Sequence, residues 1–174
     1  MIITISGLSG CGKDTVGALV AKALGLRHIR FSFKDEAARR GISLMELQRL
    51  ATKNPRIDRE FDTRLVKEAR KGNCVVTTWL GSWLVKNSDL RVWLAATEKT
   101  RAARIAKREG ISLARALSHL RARDANNRAR YKKLYGIDLS DHSIFDLEIH
   151  TDRLTPKTIA HIIICAAKEK IKRR

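Results

Sequence analysis

A glycine-rich turn with the spacing G-x-x-x-x-G-K begins at Gly7 and ends at Lys13. The β-branched run at 2–6 before it predicts a buried strand, and the apolar spacing of 14–24 after it predicts a helix. Glycines in such a turn let successive backbone N–H groups surround a phosphate, while the helix N-terminus and the lysine add positive charge. The sequence therefore predicts a nucleotide-binding P-loop. Its phosphate-binding residues are expected to be Gly7, Leu8, Ser9, Gly10, Cys11, Gly12, Lys13, Asp14 and Thr15.

Asp14 departs from the usual P-loop pattern, in which a Ser or Thr follows the lysine and offers its hydroxyl to Mg²⁺. Here Thr15 comes one position later. Two interpretations are open. Asp14 either holds Mg²⁺ or its waters, or it caps the N-terminal end of the following helix with a carboxylate. Asp14 is therefore the candidate metal-binding residue.

Other apolar segments predict a sheet whose strands alternate with helices. Strands are predicted at 28–31, 73–78, 90–96 and 145–150, in addition to 2–6. Helices are predicted at 43–53, 56–71, 98–109 and 112–133, with a C-terminal helix from Pro156. Ser43 and Glu46 fit a capping box at the start of the helix at 43–53. The pattern indicates an α/β fold with a five-stranded parallel sheet flanked by helices, as one domain over residues 1–174.

Composition and length limit the setting in which the chain works. Its 174 residues suffice for one α/β domain without disulfides. Cys11, Cys74 and Cys165 lie far apart, which argues against a zinc ribbon or a secreted disulfide framework. The N-terminus lacks the basic segment of a signal peptide, and no stretch approaches the ~20 apolar residues of a membrane span. We expect a cytoplasmic protein with no membrane association.

Positive charge is the other marked feature of the composition. The net charge is +18, from 36 lysines and arginines against 18 acidic residues. Residues 101–133 contain eleven of these basic residues against only Glu109 and Asp124, so this segment carries half of the net charge. An anionic partner is therefore expected, and nucleic acid is compatible with the charge alone.

The P-loop and the basic segment together favour one class of P-loop protein. No NKxD motif for a guanine base is present, and the chain is short for a motor ATPase with its accessory parts. A small kinase must neutralise the charge on the transferred phosphoryl group and exclude water, and an arginine-rich lid does both. The sequence therefore favours a small kinase with a P-loop kinase fold.

The ordered set of further motifs resembles the archaeal cytidylate kinase family, a group of P-loop nucleoside monophosphate kinases. The resemblance covers nearly the whole chain. Besides the P-loop it rests on the segments 33–35, 41–44, 89–94, 101–108, 123–124, 130–131, 135–138 and 143–146, and on Asp58 with Asp62. It implies a core of residues 1–32, 73–108 and 134–174, an acceptor-binding insertion at 33–72 and a lid at 109–133.

The same resemblance implies roles for side chains outside the P-loop. Arg104 would lie over the ATP base, and Arg108 would reach the ATP phosphates. Arg123 and Arg130 would bridge donor and acceptor phosphates and, with Lys13, act in catalysis. The implied acceptor-binding residues are Lys34, Asp35, Asp62, Trp79 and Asn127.

The acceptor half of the sequence departs from the family pattern. Where the family has an acidic residue followed by Gly-Arg, this chain has Thr77, Thr78 and Trp79. Loss of the guanidinium removes bidentate recognition of a phosphate. Trp79 either packs in the core or stacks on an acceptor base. Asn127 replaces a carboxylate, although its amide oxygen still accepts a hydrogen bond from a sugar hydroxyl.

The sequence thus predicts ATP- and Mg²⁺-dependent transfer of a phosphoryl group to a nucleoside monophosphate, with CMP or dCMP as the leading acceptors. An altered acceptor such as an RNA end is one alternative, because the charge exceeds what a mononucleotide requires. A basic RNA-associated P-loop ATPase is another. A monomer or a small homo-oligomer is expected.

Overall fold

The computed structural model describes residues 1–172, apart from the Ile171 side chain. Arg173 and Arg174, which end the predicted core segment, lie outside the described residues. Five strands form one parallel sheet in the order β2-β3-β1-β4-β5. Their bounds are β1 Ile2–Ser6, β2 Arg27–Ile29, β3 Cys74–Thr77, β4 Leu90–Ala95 and β5 Leu147–His150. The α/β class and the five-stranded parallel sheet are confirmed.

Helices connect the strands and cover both faces of the sheet. Their bounds are α1 Lys13–Leu24, α2 Phe33–Arg39, α3 Leu44–Lys53, α4 Arg56–Arg70, α5 Gly81–Leu84, α6 Glu98–Glu109, α7 Leu113–Tyr135 and α8 Pro156–Lys172. Each predicted helix is present within about two residues of its expected ends. Such small differences arise because terminal turns fray.

The core follows from the alternation of side chains along β1. Ile3 and Ile5 point to one face, where they pack with Val20 of α1 and Ile163 of α8. On the opposite face Ile2 packs against α4. Central strands of a parallel sheet are buried on both sides, so all five residues of β1 are buried. This rigid central strand delivers the P-loop to the carboxyl edge of the sheet.

Two short helices were not predicted from the sequence. α2 begins after Ser32, whose hydroxyl accepts a hydrogen bond from the Asp35 N–H at 3.1 Å. A serine at this position is a typical N-cap residue, so Ser32 is the sequence signal for the start of this helix. α5 docks through buried hydroxyls, since Ser82 bonds to Thr4 at 3.0 Å and to Ser6 at 2.9 Å. Its four residues are too few for a periodic pattern.

The predicted capping box at α3 forms only in part. Ser43 Oγ accepts a hydrogen bond from the Glu46 N–H at 3.1 Å. The Glu46 carboxylate pairs with Arg49 at 2.7 Å on the next turn. A guanidinium is a stronger partner for a carboxylate than a backbone N–H, so the reciprocal half of the box is given up.

Candidate active site

A cleft of about 590 Å³ opens at the carboxyl edge of the sheet, in the range of small-molecule binding sites. The P-loop forms its floor, and the segments that follow β2 and β3 form one side. Residues of α6, α7 and the segment after β5 form the other side. This is the edge at which ligands bind in parallel α/β sheets.

The P-loop backbone can adopt its shape only with glycine at certain positions. At Gly10 φ is +83°, and an added Cβ would lie 2.7 Å from the Arg101 carbonyl oxygen. At Gly7 an added Cβ would lie 2.5 Å from the Leu94 carbonyl oxygen. The backbone of the loop is therefore pressed against β4 and α6, as a phosphate cradle requires.

Helix α1 points its N-terminus into the cleft. Its N-cap is Gly12, and no side chain within residues 1–172 caps it by a hydrogen bond. Asp14 stands in the first turn of α1 and lines the cleft, so it contributes charge near the helix end but not the predicted cap bond. The uncapped N-terminus leaves N–H groups and the positive end of the helix dipole available to an anion.

Two arginines of α6 hold the carbonyl groups of the P-loop. Arg101 donates to Ser9 O at 3.2 Å, and Arg104 donates to Gly10 O at 3.3 Å and Cys11 O at 3.2 Å. Arg104 also donates to the Thr151 hydroxyl and carbonyl oxygens at 2.9 and 2.7 Å. With its carbonyls engaged by α6, the loop is free to direct N–H groups toward the cleft.

Burial determines the state of the Cys11 thiol. The side chain is buried beneath Gly7, and this burial raises the pKa of the thiol. Cys11 is therefore a neutral, packed residue of the loop.

Arg123 enters the cleft from α7. Within the described residues it has no hydrogen bond or ion pair, and its Nε atom is buried without a partner. Burial lowers the pKa of this guanidinium because removing a charge from water is disfavoured, and the charges of Asp124 and Glu109, which lie beyond ion-pair distance, offset this only in part. An anion in the cleft would supply the missing counter-charge.

Lys34 and Arg108 both line the cleft, and both reach the same carboxylate. Lys34 Nζ lies 3.5 Å and Arg108 Nη2 lies 2.9 Å from Glu109 Oε1. The exposed Glu109 carboxylate thereby links Lys34 of α2 to the end of α6. Exposed ion pairs are weak, so both cations can exchange this partner for a ligand phosphate.

The segment after β3 lines the cleft on the β2 side. Thr77 Oγ1 and His28 Nε2 are 3.0 Å apart, and burial lowers the pKa of His28. Trp79 lines the cleft and meets the Tyr131 ring edge-on, with centroids 6.3 Å apart. Trp79 thus packs on α7 and also borders the cleft, so its two predicted roles are compatible.

Amide side chains form part of the wall between α3 and α7. Gln48 and Asn127 are both nearly buried and both line the cleft. The Gln48 Nε2 and Asn127 Oδ1 atoms are 3.5 Å apart, a long hydrogen bond. Asn127 is one of the predicted acceptor-binding residues, and it lines the cleft. Gln48 was not predicted, because a single glutamine on an amphipathic helix does not indicate a binding site.

Two carboxylates of α4 face α7, one on the buried Asp58 and one on the half-buried Asp62. Asp62 lines the cleft and accepts a hydrogen bond from the Tyr135 hydroxyl at 2.6 Å. Burial raises its pKa to about 7, even though that hydrogen bond lowers it. Asp58 Oδ2 lies 2.9 Å from Arg130 Nε, and burial raises the pKa of Asp58 too. These contacts hold α4 against α7.

Arg130 is predicted to bridge the donor and acceptor phosphates, and the structure places it behind the wall of the cleft. It is buried, paired with Asp58, bonded to Asn126 at 2.7 Å and placed over the Phe33 ring at 5.0 Å. Arg130 does not line the cleft, and neither do the predicted P-loop residues Gly7 and Leu8. Gly7 is instead packed against β4. The sequence could not foresee that a distant aspartate takes this guanidinium.

The remaining predicted site residues are brought together around the cleft. They are Ser9, Gly10, Cys11, Gly12, Lys13, Asp14, Thr15, Lys34, Asp35, Asp62, Trp79, Arg104, Arg108, Arg123 and Asn127. Arg104 holds the P-loop as well as lining the cleft, a contact that was not predicted. Their roles toward ligands stay predictions.

Comparison with known proteins decides the family. Residues 2–153 match the cytidylate kinase-like family. The chain belongs to the cytidylate kinase-like family. It is 43% identical over 168 residues to the cytidylate kinase of Pyrococcus horikoshii, covering 95% of this chain and 88% of that protein. It is 40% identical over 172 residues to the cytidylate kinase of Methanocaldococcus jannaschii, covering 95% and 97% respectively.

Solved structures with low sequence identity share the fold of this cytidylate kinase-like chain. An uncharacterized protein from Eubacterium ventriosum aligns with a TM-score of 0.72 at 17% identity, covering 97% of this chain and 98% of that one. Shikimate kinase from Acinetobacter baumannii aligns with a TM-score of 0.61 at 16% identity, covering 97% and 93%. The P-loop kinase fold is confirmed. Across residues 1–172, every helix is too short or too polar to span a membrane.

Proposed function

We propose that this chain transfers a phosphoryl group from ATP to a nucleoside monophosphate, with CMP or dCMP as acceptor. The observation that carries the proposal is the match along 95% of the chain to cytidylate kinases. The uncapped P-loop helix and the unpartnered Arg123 facing one cleft support phosphoryl transfer as the chemistry.

The residues divide into a donor side and an acceptor side. The P-loop, Lys13 and Arg108 would hold the ATP phosphates, with Arg104 keeping the loop in shape. An oxygen of the acceptor phosphate forms the new bond to the γ-phosphorus while the bond to the β-phosphate oxygen breaks. No protein nucleophile is needed, so catalysis consists of positioning and charge neutralisation. Arg123 stands where it would neutralise charge on the transferred group.

The residues near the P-loop fit a magnesium ion that enters with the nucleotide. Within the described part of the chain, no three His, Cys, Asp or Glu side chains group closely enough to hold a metal alone. Mg²⁺ in kinases is held by one or two carboxylates together with substrate phosphates. Asp14 lines the cleft beside Lys13 and would supply that carboxylate, and the ion would neutralise phosphate charge.

We assign residues 33–72 as the acceptor-binding insertion and residues 109–133 as the lid. The assignment is supported by contacts between α4 and α7, since Asp58 forms an ion pair with Arg130 and Asp62 accepts a hydrogen bond from Tyr135. Lys34 also reaches Glu109 at the start of the lid. Closure of the lid over both substrates would exclude water from the reaction.

The first test is an ADP-release assay with Mg-ATP and CMP, dCMP, UMP, AMP, GMP or dTMP, with a control lacking acceptor. We expect turnover with CMP or dCMP well above the control. Lys13→Ala should reduce kcat by at least about 10³-fold while the protein stays folded, because a phosphate-neutralising charge is lost. Lys22→Ala, an exposed lysine on the same helix, is the matched control.

The outcome separates the proposal from the RNA alternatives. Background turnover with all six nucleotides would contradict the proposal, and RNA with a free 5′ end would be the next acceptor. Full activity of Lys13→Ala would contradict the role of the P-loop.

A further inference from the structure

Six cationic side chains line the cleft within the described residues, and three of them already have protein partners. Lys34 and Arg108 reach Glu109, and Arg104 holds the P-loop and Thr151. The other three have no hydrogen bond or ion pair within residues 1–172: Lys13, Arg30 and Arg123. Lys13 belongs to the P-loop and Arg123 to the lid. The sequence analysis predicts no role for Arg30.

Strand pairing places Arg30 at the acceptor end of the cleft. Arg30 directly follows β2, whose last residue, Ile29, pairs with Val76 of β3. Arg30 therefore leaves the sheet beside Thr77, on the outer strand of the β2 side. The charge of Arg30 also contributes to lowering the pKa of His28, which bonds to Thr77. Arg30 is thus close to residues 78–80, which connect β3 to α5, and it lies at the edge of the sheet opposite β5.

Within the described residues, the neighbouring wall offers no other cation without an ion pair. The residues after β3 are Thr77, Thr78 and Trp79, which carry no charge. Lys34 on α2 pairs with Glu109, and its ammonium can add a point charge to a phosphate but not a guanidinium's pair of parallel hydrogen bonds. A monophosphate bound opposite the P-loop would carry close to two negative charges, and a guanidinium matches its geometry with two parallel hydrogen bonds.

We propose that Arg30 binds the phosphate of the acceptor nucleotide. This inference rests on the proposed function and names the residue that holds the acceptor in line with the donor. The exposed side chain of Arg30 reaches into the cleft from the end of a strand, so the strand fixes its base while its guanidinium adjusts to the phosphate. Recognition of the phosphate is then separate from recognition of the base.

Calorimetric titration of the full chain with CMP and with cytidine tests the proposal, because the two ligands differ only in the phosphate. We expect Arg30→Ala to weaken CMP binding about 10- to 100-fold and to leave cytidine binding unchanged. Arg30→Lys should lie between wild type and Arg30→Ala, since an ammonium keeps the charge but loses the fork. Arg59→Ala, an exposed arginine of α4 outside the cleft, should bind both ligands as wild type does.

Kinetics give a second readout. Arg30→Ala should raise KM for CMP by a similar factor and change KM for ATP less than twofold. Equal binding of CMP by wild type and Arg30→Ala, or an equal loss for CMP and cytidine, would overturn the role of Arg30 while leaving the proposed function in place. Failure of the wild type itself to bind any of the six monophosphates would instead overturn the proposed function and this inference together.

Discussion

Replacing Arg130 with methionine should destabilise the folded protein by about 3–5 kcal/mol at neutral pH. The Arg130 and Asp58 side chains are only 5% and 1% exposed, and their Nε and Oδ2 atoms are 2.9 Å apart. With an effective dielectric constant of about 20, two unit charges at that distance attract by about 6 kcal/mol. Methionine keeps much of the volume, so the main loss is the charge that compensates Asp58.

The pH dependence of this destabilisation identifies its cause. Burial already raises the pKa of Asp58 above its unfolded value of 3.8, whereas the charge of Arg130 lowers it. Removal of Arg130 therefore raises the pKa of Asp58 in the folded state further. The folded variant then binds a proton that the unfolded chain releases, so its stability falls as pH rises from about 4 toward neutrality. The difference from wild type should therefore be smaller at pH 5 than at pH 8. Urea unfolding followed by circular dichroism at both pH values measures it.

A matched set of variants separates a structural from a catalytic role of Arg130. Arg128→Met changes an exposed arginine of α7 and should alter stability by less than about 0.5 kcal/mol. The double variant Arg130→Met with Asp58→Asn removes both charges and should recover most of the lost stability. If the double variant also recovers phosphoryl transfer, Arg130 acts only by pairing with Asp58. Stability of Arg130→Met equal to wild type at pH 8 would refute the reasoning.

Two further predictions concern the P-loop and the acceptor wall. Arg104→Met removes the hydrogen bonds to the Gly10, Cys11 and Thr151 oxygens, so KM for ATP should rise about tenfold and KM for CMP much less. Lys107→Met, which changes an exposed residue of α6, is the control. Equal changes in the two KM values would contradict this prediction. Asp62→Asn should stabilise the protein increasingly as the pH rises from about 4 to about 7, with the difference from wild type growing by about 4 kcal/mol over that range. The reason is that the folded Asp62 carboxyl, with a pKa of about 7, binds a proton that the unfolded carboxyl, with a pKa of 3.8, has lost. Thermal unfolding at several pH values measures this, and a pH-independent difference would count against it.

The sequence by itself determined the features that depend on neighbouring residues. The strand, turn and helix around Gly7–Lys13 are contiguous, and the glycine spacing is itself the geometric requirement, so the P-loop was readable without a fold. The cap at Ser43 likewise involves residues three apart. The central strands β1, β3 and β4 were predictable because buried parallel strands form short apolar runs.

The tertiary structure alone decided what each arginine does. Arg101, Arg104, Arg123 and Arg130 lie within 30 residues of one another on α6 and α7, and their sequence context is similar. Their partners are far away in the chain: Arg101 and Arg104 hold P-loop oxygens, and Arg130 pairs with Asp58. A guanidinium binds whichever acceptor the fold brings within reach, and that depends on long-range packing. Within residues 1–172, Arg123 and Arg30 face the cleft without an ion pair for the same reason, since the fold places no carboxylate there within ion-pair distance of either.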